Sequence, residues 1–225
     1  MAARIIIYNL SIMKVLIGGP RTGSSYVYEH IDITNLKDPT VRKPHPKAEF
    51  LNPDIMPEIS LAGKIDFLIQ EKEKGINYTF KHHINYLMTP DYDYYNNWFK
   101  DFYKEDEIIV LKRRDIWKWA LSFMWQELAD WKTAGIVDIS TARIININTN
   151  VNLKKSLDQF FDIKDQLDTV EGNVIFYEDL DFPFSKFHKL SDIINYEEKM
   201  QQAGINLEEI GEYYEKKKAS TTYYS

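Results

Sequence analysis

The sequence of 225 residues contains no cysteine and no apolar run long enough to cross a bilayer. The absence of cysteine excludes disulfides and cysteine-ligated zinc, and the absence of a long apolar run predicts no membrane span. Positive charge is also scarce, with 28 Lys and Arg against 34 Asp and Glu. A nucleic-acid binder, which needs a basic face, is therefore not expected. No secretory signal pattern is present, so we expect a soluble, cytoplasmic protein, and its small size favours a bacterial or viral source.

The length and the 44% of apolar residues suit one domain with a sizeable core. We expect a single domain over the whole chain. Residues 1–12 are interpreted as an extension and residues 219–225 as a tail. Residues 32–57 are rich in proline and are expected to form an irregular excursion or flap.

Apolar runs of strand type alternate with segments of helical period. The predicted strands cover residues 14–17, 76–81, 107–112 and 174–177. The predicted helices cover residues 24–31, 60–74, 92–104, 115–129, 153–167 and 192–218, with Asp115 as the N-cap of the fourth. This alternation predicts an α/β fold, a three-layer α/β/α arrangement with a central, mostly parallel sheet. In such sheets ligands bind at the carboxyl ends of the strands.

A glycine-rich loop follows the first predicted strand, with the sequence Gly18-Gly19-Pro20-Arg21-Thr22-Gly23-Ser24-Ser25. Its spacing is that of a P-loop, in which backbone N–H groups cradle phosphate, and it makes the predicted fold P-loop-NTPase-like. Ser24 stands where the P-loop lysine belongs, and Arg21 adds a cation inside the loop. Loss of the lysine weakens an ATPase or GTPase interpretation and favours a different anion. An ordinary strand-to-helix turn is the alternative for this motif alone.

The segment from Pro20 to Ser25 resembles the 5′-phosphosulfate loop of sulfotransferases that use 3′-phosphoadenosine-5′-phosphosulfate (PAPS). The resemblance implies that Arg21, Thr22, Gly23, Ser24 and Ser25 hold the 5′-phosphosulfate of PAPS.

A second anion site is predicted where Lys112-Arg113-Arg114 closes a strand and opens a helix, because cations and a helix N-terminus both attract anions. The sulfotransferase 3′-phosphate motif has an Arg at a strand end and a Ser eight residues later, as Arg114 and Ser122 do here. The family's usual proline is replaced by Ile116. The segment from Phe176 to Leu180 also resembles a sulfotransferase segment, which implies that Tyr177 borders the adenine. For the basic strand end, the alternative is a solvated edge of the sheet. For Tyr177, the alternative is an aromatic residue of the core.

Lys81-His82-His83 follows the strand-like residues 76–80 and offers a base suited to neutral pH. Cytosolic sulfotransferases have Lys-x-His at this place. The resemblance implies that His83 removes the acceptor proton, while Lys81 and Arg21 stabilise charge on the leaving group. Some sulfotransferases use a Glu base instead. The other histidines are scattered, so a metal site is not expected, and no metal is required.

These motifs span residues 20–180 in the family order. They predict a PAPS-dependent sulfotransferase that moves a sulfuryl group to a hydroxyl or amine and releases adenosine 3′,5′-bisphosphate. The aromatic content of 14% suits a small-molecule or glycan acceptor. The alternatives are a nucleotide-dependent kinase with an altered P-loop and a non-catalytic nucleotide-binding protein of the same fold.

Overall fold

The chain folds as a mixed α/β protein with a mostly parallel sheet. Its computed structural model describes residues 15–24, 27–28, 41–42, 51, 56–75, 77–78, 80–84, 103, 107–128, 152–180 and 195–221. The helix predicted over residues 92–104 falls almost wholly outside these ranges, as do residues 1–12. In the part of the chain that is described, no helix has the length and apolarity required to cross a membrane.

Four parallel strands form the central sheet: β1 (Val15–Gly18), β4 (Phe80–His83), β5 (Ile108–Lys112) and β6 (Asn173–Phe176). Their order across the sheet is β4-β1-β5-β6. Gly18 is aligned with His83 on one side and with Leu111 on the other, and Lys112 is aligned with Phe176. Because all four strands run in one direction, their carboxyl ends meet at one edge.

A second, two-stranded parallel sheet pairs β2 (Val41–Arg42) with β3 (Asn77–Tyr78). The predicted strand over residues 76–81 is therefore wrong in its bounds, since its first half pairs with β2 and its second half belongs to β4. It also follows that residues 41–42 of the predicted irregular excursion take part in a sheet.

One face of the central sheet packs against the helical segment that follows β1. Leu16 is aligned with Ile109, and Leu111 is aligned with Ile175. The alternation of side chains along each strand puts all four on this face. They form a buried apolar cluster with other side chains of the same unit: Val27, Tyr28, Tyr177 and Leu180. The cluster fixes the helix start, and with it the loop of residues 19–23, above the carboxyl edge of the sheet.

The longer helices are α1 (Leu61–Glu73), α2 (Ile116–Leu128), α3 (Leu153–Thr169), α4 (Tyr196–Gln202) and α5 (Leu207–Thr221). The side chain of Ser60 caps α1 by accepting from the Gly63 N–H. The predicted N-cap of α2 is confirmed, because Asp115 Oδ1 accepts from the Lys118 N–H at 2.9 Å. The predicted C-terminal helix is divided in two at Gly204, whose φ is +78°, and α5 extends to Thr221, into the expected tail.

The chain divides into two compact units: the first contains Met1–Arg114 with Gln166–His188, and the second Asp115–Asp165 with Lys189–Ser225. The first unit holds the central sheet and its loops. The second has an aromatic core, in which Phe160 packs edge-on against Trp119 at 4.9 Å and Phe161 lies 5.4 Å from Tyr214. The single domain expected from the sequence stays a prediction.

Candidate functional site

The loop after β1 makes a tight turn stabilised by the threonine of the motif. The Thr22 hydroxyl donates to the Gly19 carbonyl at 2.8 Å, and the Thr22 N–H points to the same oxygen at 3.3 Å. Arg21 has a left-handed backbone with φ of +65°, a conformation that costs a non-glycine residue about 1–2 kcal/mol. Strain of this kind is found at ligand sites, where the surrounding structure enforces it.

Two glycines of the loop are required by their surroundings. Gly23 has φ of +91°, and a Cβ there would overlap the ring of Tyr177. A Cβ on Gly18 would lie 2.7 Å from Thr22 Oγ1. The loop is thus closely packed on one side against Tyr177, and its turn brings Thr22 back onto the end of β1.

Ser24, at the position where the P-loop spacing has a lysine, contacts the candidate base. Its hydroxyl lies 3.0 Å from Nε2 of His83, a hydrogen-bonding distance. Ser24 is buried and adopts helical backbone, and His83 is half-buried. The hydrogen bond therefore joins the loop after β1 to the end of β4, two elements far apart in sequence.

The Lys-His-His motif lies within β4 and not after it. Alternation along the strand puts Lys81 and His83 on one face of the sheet and His82 on the other. Lys81 is 7% exposed and His82 is 1% exposed. His83 is the last residue of the strand, and it is the member of the motif that reaches the loop.

Arg113 connects the loop after β1 with the segment after β6. Its guanidinium is buried, donates from Nη1 to the Arg21 carbonyl at 3.4 Å and from Nε to Glu178 at 3.3 Å. It also lies over the ring of Tyr177 at 4.7 Å. Arg113 thus holds the left-handed turn at Arg21 against the 3₁₀ turn Tyr177–Asp179.

Arg114 is exposed and forms a two-point ion pair with Asp179. Its Nε lies 3.1 Å from Oδ1 and its Nη2 lies 2.5 Å from Oδ2. The hydrogen bond raises the pKa of Arg114 and lowers the pKa of Asp179, so both groups stay charged at neutral pH. The Arg114 N–H donates to Glu178 at 3.0 Å, and its guanidinium covers the Phe176 ring at 4.0 Å.

The strand order gives this edge of the sheet the topology of a ligand crevice. Among the described strands, β1 and β5 are neighbours at the centre of the sheet. The next strand of this sheet after β1 is β4, on one side of the pair, whereas β5 is followed by β6, on the other side. Adjacent loops that leave in opposite directions open a crevice between them, where α/β proteins bind ligands. Here the two loops are the one containing Arg21 and the one containing Arg113 and Arg114.

The structure brings together most of the residues predicted for the site. Arg21, Thr22, Gly23, Ser24, Lys81, His83, Arg114 and Tyr177 all belong to the first unit and lie at or near the carboxyl ends of its strands. Ser25 lies outside the described residues. Ser122 is buried in α2 and belongs to the second unit, so its pairing with Arg114 in a phosphate site stays a prediction.

Sequence reasoning missed the roles of Arg113 and Glu178. The sequence predicts an anion anchor at Lys112-Arg113-Arg114 and a strand-end motif around Tyr177, without an ion pair between the two. One signal for these ion pairs was present in the sequence: a basic run ends one predicted strand, and the acidic pair Glu178-Asp179 follows another. Once β5 and β6 are neighbours, with Lys112 aligned to Phe176, those charges must meet.

No cluster of His, Asp or Glu able to hold a metal occurs within the described part of the chain. In comparisons with known proteins, the chain matches no protein-family model, no curated protein and no solved structure.

Proposed function

We propose that this chain is a PAPS-dependent sulfotransferase with a P-loop-like, three-layer α/β/α fold. The observation that supports the proposal best is the 3.0 Å hydrogen bond between Ser24 and His83. It joins a candidate general base to a loop whose sequence resembles a 5′-phosphosulfate cradle. A base at the reacting anion is what sulfuryl transfer to a hydroxyl requires.

The binding roles follow from the loop and the basic strand end. The backbone around Thr22 and Gly23, with the hydroxyls of Ser24 and Ser25, would hold the 5′-phosphosulfate. Arg114 would hold the 3′-phosphate. Tyr177 is 4% exposed and packs against Gly23 and Arg113. We therefore assign it support of the loop, and the adenine contact that the resemblance implied stays a prediction.

The proposed reaction is a direct in-line transfer. The acceptor hydroxyl attacks the sulfur atom while His83 takes its proton. The bond between sulfur and the 5′-phosphate oxygen breaks, and its electron pair stays on that oxygen, where Arg21 and Lys81 stabilise the charge. The products are a sulfated acceptor and adenosine 3′,5′-bisphosphate. Positioning and protein cations supply the catalysis, as in phosphoryl transfer.

The direct test is conversion of PAPS to adenosine 3′,5′-bisphosphate in the presence of a panel of phenols, sugars and amines. Acceptor-dependent product supports a sulfotransferase. Binding of adenosine 3′,5′-bisphosphate without turnover of any acceptor supports a non-catalytic binding protein. A rise in melting temperature with ATP and magnesium, but not with the bisphosphate, supports a kinase and overturns the proposal.

A further inference from the structure

The three consecutive cations at the end of β5 are each matched by a carboxylate of the same unit. Lys112 pairs with Asp168 at 2.7 Å, Arg113 with Glu178 at 3.3 Å and Arg114 with Asp179 at 2.5 Å. Three positive and three negative charges leave these six side chains with no net charge. An incoming phosphate therefore gains little attraction at this strand end while all three pairs are intact.

The pairing at Arg114 takes up the donors that a phosphate would use. The two-point contact with Asp179 engages Nε and Nη2, the fork that also binds phosphate oxygens. Glu178 accepts from the Arg114 N–H at 3.0 Å. Two carboxylates thus stand where the oxygens of one bound phosphate are expected.

The two carboxylates differ in how firmly they are held. Glu178 also pairs with Arg113, whose side chain is 4% exposed, and its loss would leave a buried cation without its counterion. Asp179 and Arg114 are 43% and 56% exposed, and an exposed ion pair of this kind contributes little to stability because water screens it. A doubly charged phosphate can therefore replace Asp179 on Arg114, whereas Glu178 stays in place.

We infer that Asp179 occupies the phosphate position on Arg114, and that a phosphate binds there by displacing it. Asp179 then determines how much the second phosphate of a nucleotide adds to the affinity of that nucleotide. This inference rests on the proposed function in one respect, since it takes that phosphate to be the 3′-phosphate of the adenosine nucleotide.

Calorimetric titration of two nucleotides into the full chain tests the inference. Adenosine 3′,5′-bisphosphate carries the second phosphate, and adenosine 5′-monophosphate lacks it. In Asp179→Asn, the bisphosphate should bind about three- to fivefold more tightly, because the neutral side chain competes less for Arg114. Monophosphate affinity should stay within about twofold. The gain should disappear when Arg114→Gln is added, and Arg114→Gln alone should weaken bisphosphate binding.

Asp168→Asn is the matched control, because it removes one negative charge from a neighbouring pair without touching Arg114. It should change bisphosphate affinity by less than about twofold. Weaker or unchanged bisphosphate binding in Asp179→Asn overturns the inference, as does an equal gain in Asp168→Asn or for the monophosphate. If the parent binds the bisphosphate, these results leave the proposed function standing. If neither the parent nor Asp179→Asn binds either nucleotide, both proposals are wrong.

Discussion

Ser24 and His83 share a hydrogen bond of 3.0 Å between Oγ and Nε2, although 59 positions separate them in the chain. The parallel register places Gly18, which begins the loop, beside His83 at the end of β4. The loop then returns Ser24 to the same edge of the sheet. The hydroxyl of Ser24 and the imidazole of His83, which comes from the neighbouring strand, therefore lie together at one edge of the sheet.

The tight contact between Gly23 and Tyr177 predicts a large effect of a single methyl group. Gly23→Ala combines a left-handed backbone, which costs about 1–2 kcal/mol, with overpacking against the ring, which adds about 1–3 kcal/mol. Gly75→Ala is the matched control, because Gly75 has φ of +77° and open space around its Cα. Urea unfolding should show a greater loss of stability for Gly23→Ala. Equal losses in the two variants would mean that Tyr177 does not restrict the loop.

Arg113 is predicted to stabilise the site more than any exposed ion pair does. Arg113→Met leaves Glu178 without its buried partner and removes the bond to the Arg21 carbonyl, so we expect a loss of about 3 kcal/mol. Lys154→Met, which breaks an exposed pair with Glu209, should lower the free energy of unfolding much less. The free energies of unfolding of both variants test this. A loss for Arg113→Met no larger than that of Lys154→Met would contradict the assigned role.

In the second unit, an aspartate bridges α3 and α5. Asp158 accepts from the Tyr213 hydroxyl at 2.9 Å and pairs with Lys217 at 2.6 Å. The hydrogen bond from Lys217 lowers the pKa of Asp158 and the same contact raises the pKa of Lys217. The carboxylate thus stabilises the fold above its unfolded pKa of about 4, and this contribution is lost as pH falls through the lower folded value.

Asp158→Asn should therefore lower the melting temperature at pH 7, and the difference from the parent should shrink as pH falls below about 4. The effect should be modest, below about 1 kcal/mol, because the pair is partly exposed. Asp162→Asn, an exposed change on the same helix, is the control and should leave the melting temperature nearly unchanged. A difference between parent and Asp158→Asn that persists unchanged to pH 2.5 would contradict this account.

Much of the fold could be predicted from the sequence because its buried strands are short apolar runs. The residues of β1 and β5 stand out in this way, and α2 has both an apolar face and a capping aspartate. The bounds of β4 were harder to predict, since Lys81 and His82 are polar and yet buried. Their burial follows from parallel pairing with β1, a long-range contact that local composition does not encode.

The residue types of the candidate site could be predicted from the sequence, but the ion pairs between those residues could not. The glycine loop and the histidine could be recognised by their position relative to the strands. The partners of Arg113 and Arg114 depend on which strand lies beside β5, and strand order is a property of the whole sheet. For this reason the carboxylates Glu178 and Asp179 were predicted to be part of a strand-end motif and not counterions of the basic run.

Transfer of ³⁵S from labelled PAPS to an acceptor, measured for the parent and for His83→Asn at saturating PAPS, tests the central claim most directly. The parent should label the acceptor. His83→Asn should be slower by about 10²–10⁴-fold, the usual contribution of a general base, and should bind adenosine 3′,5′-bisphosphate as the parent does. Equal rates for the two proteins would remove His83 as the base, and absence of labelling by the parent with every acceptor tried would contradict sulfuryl transfer itself.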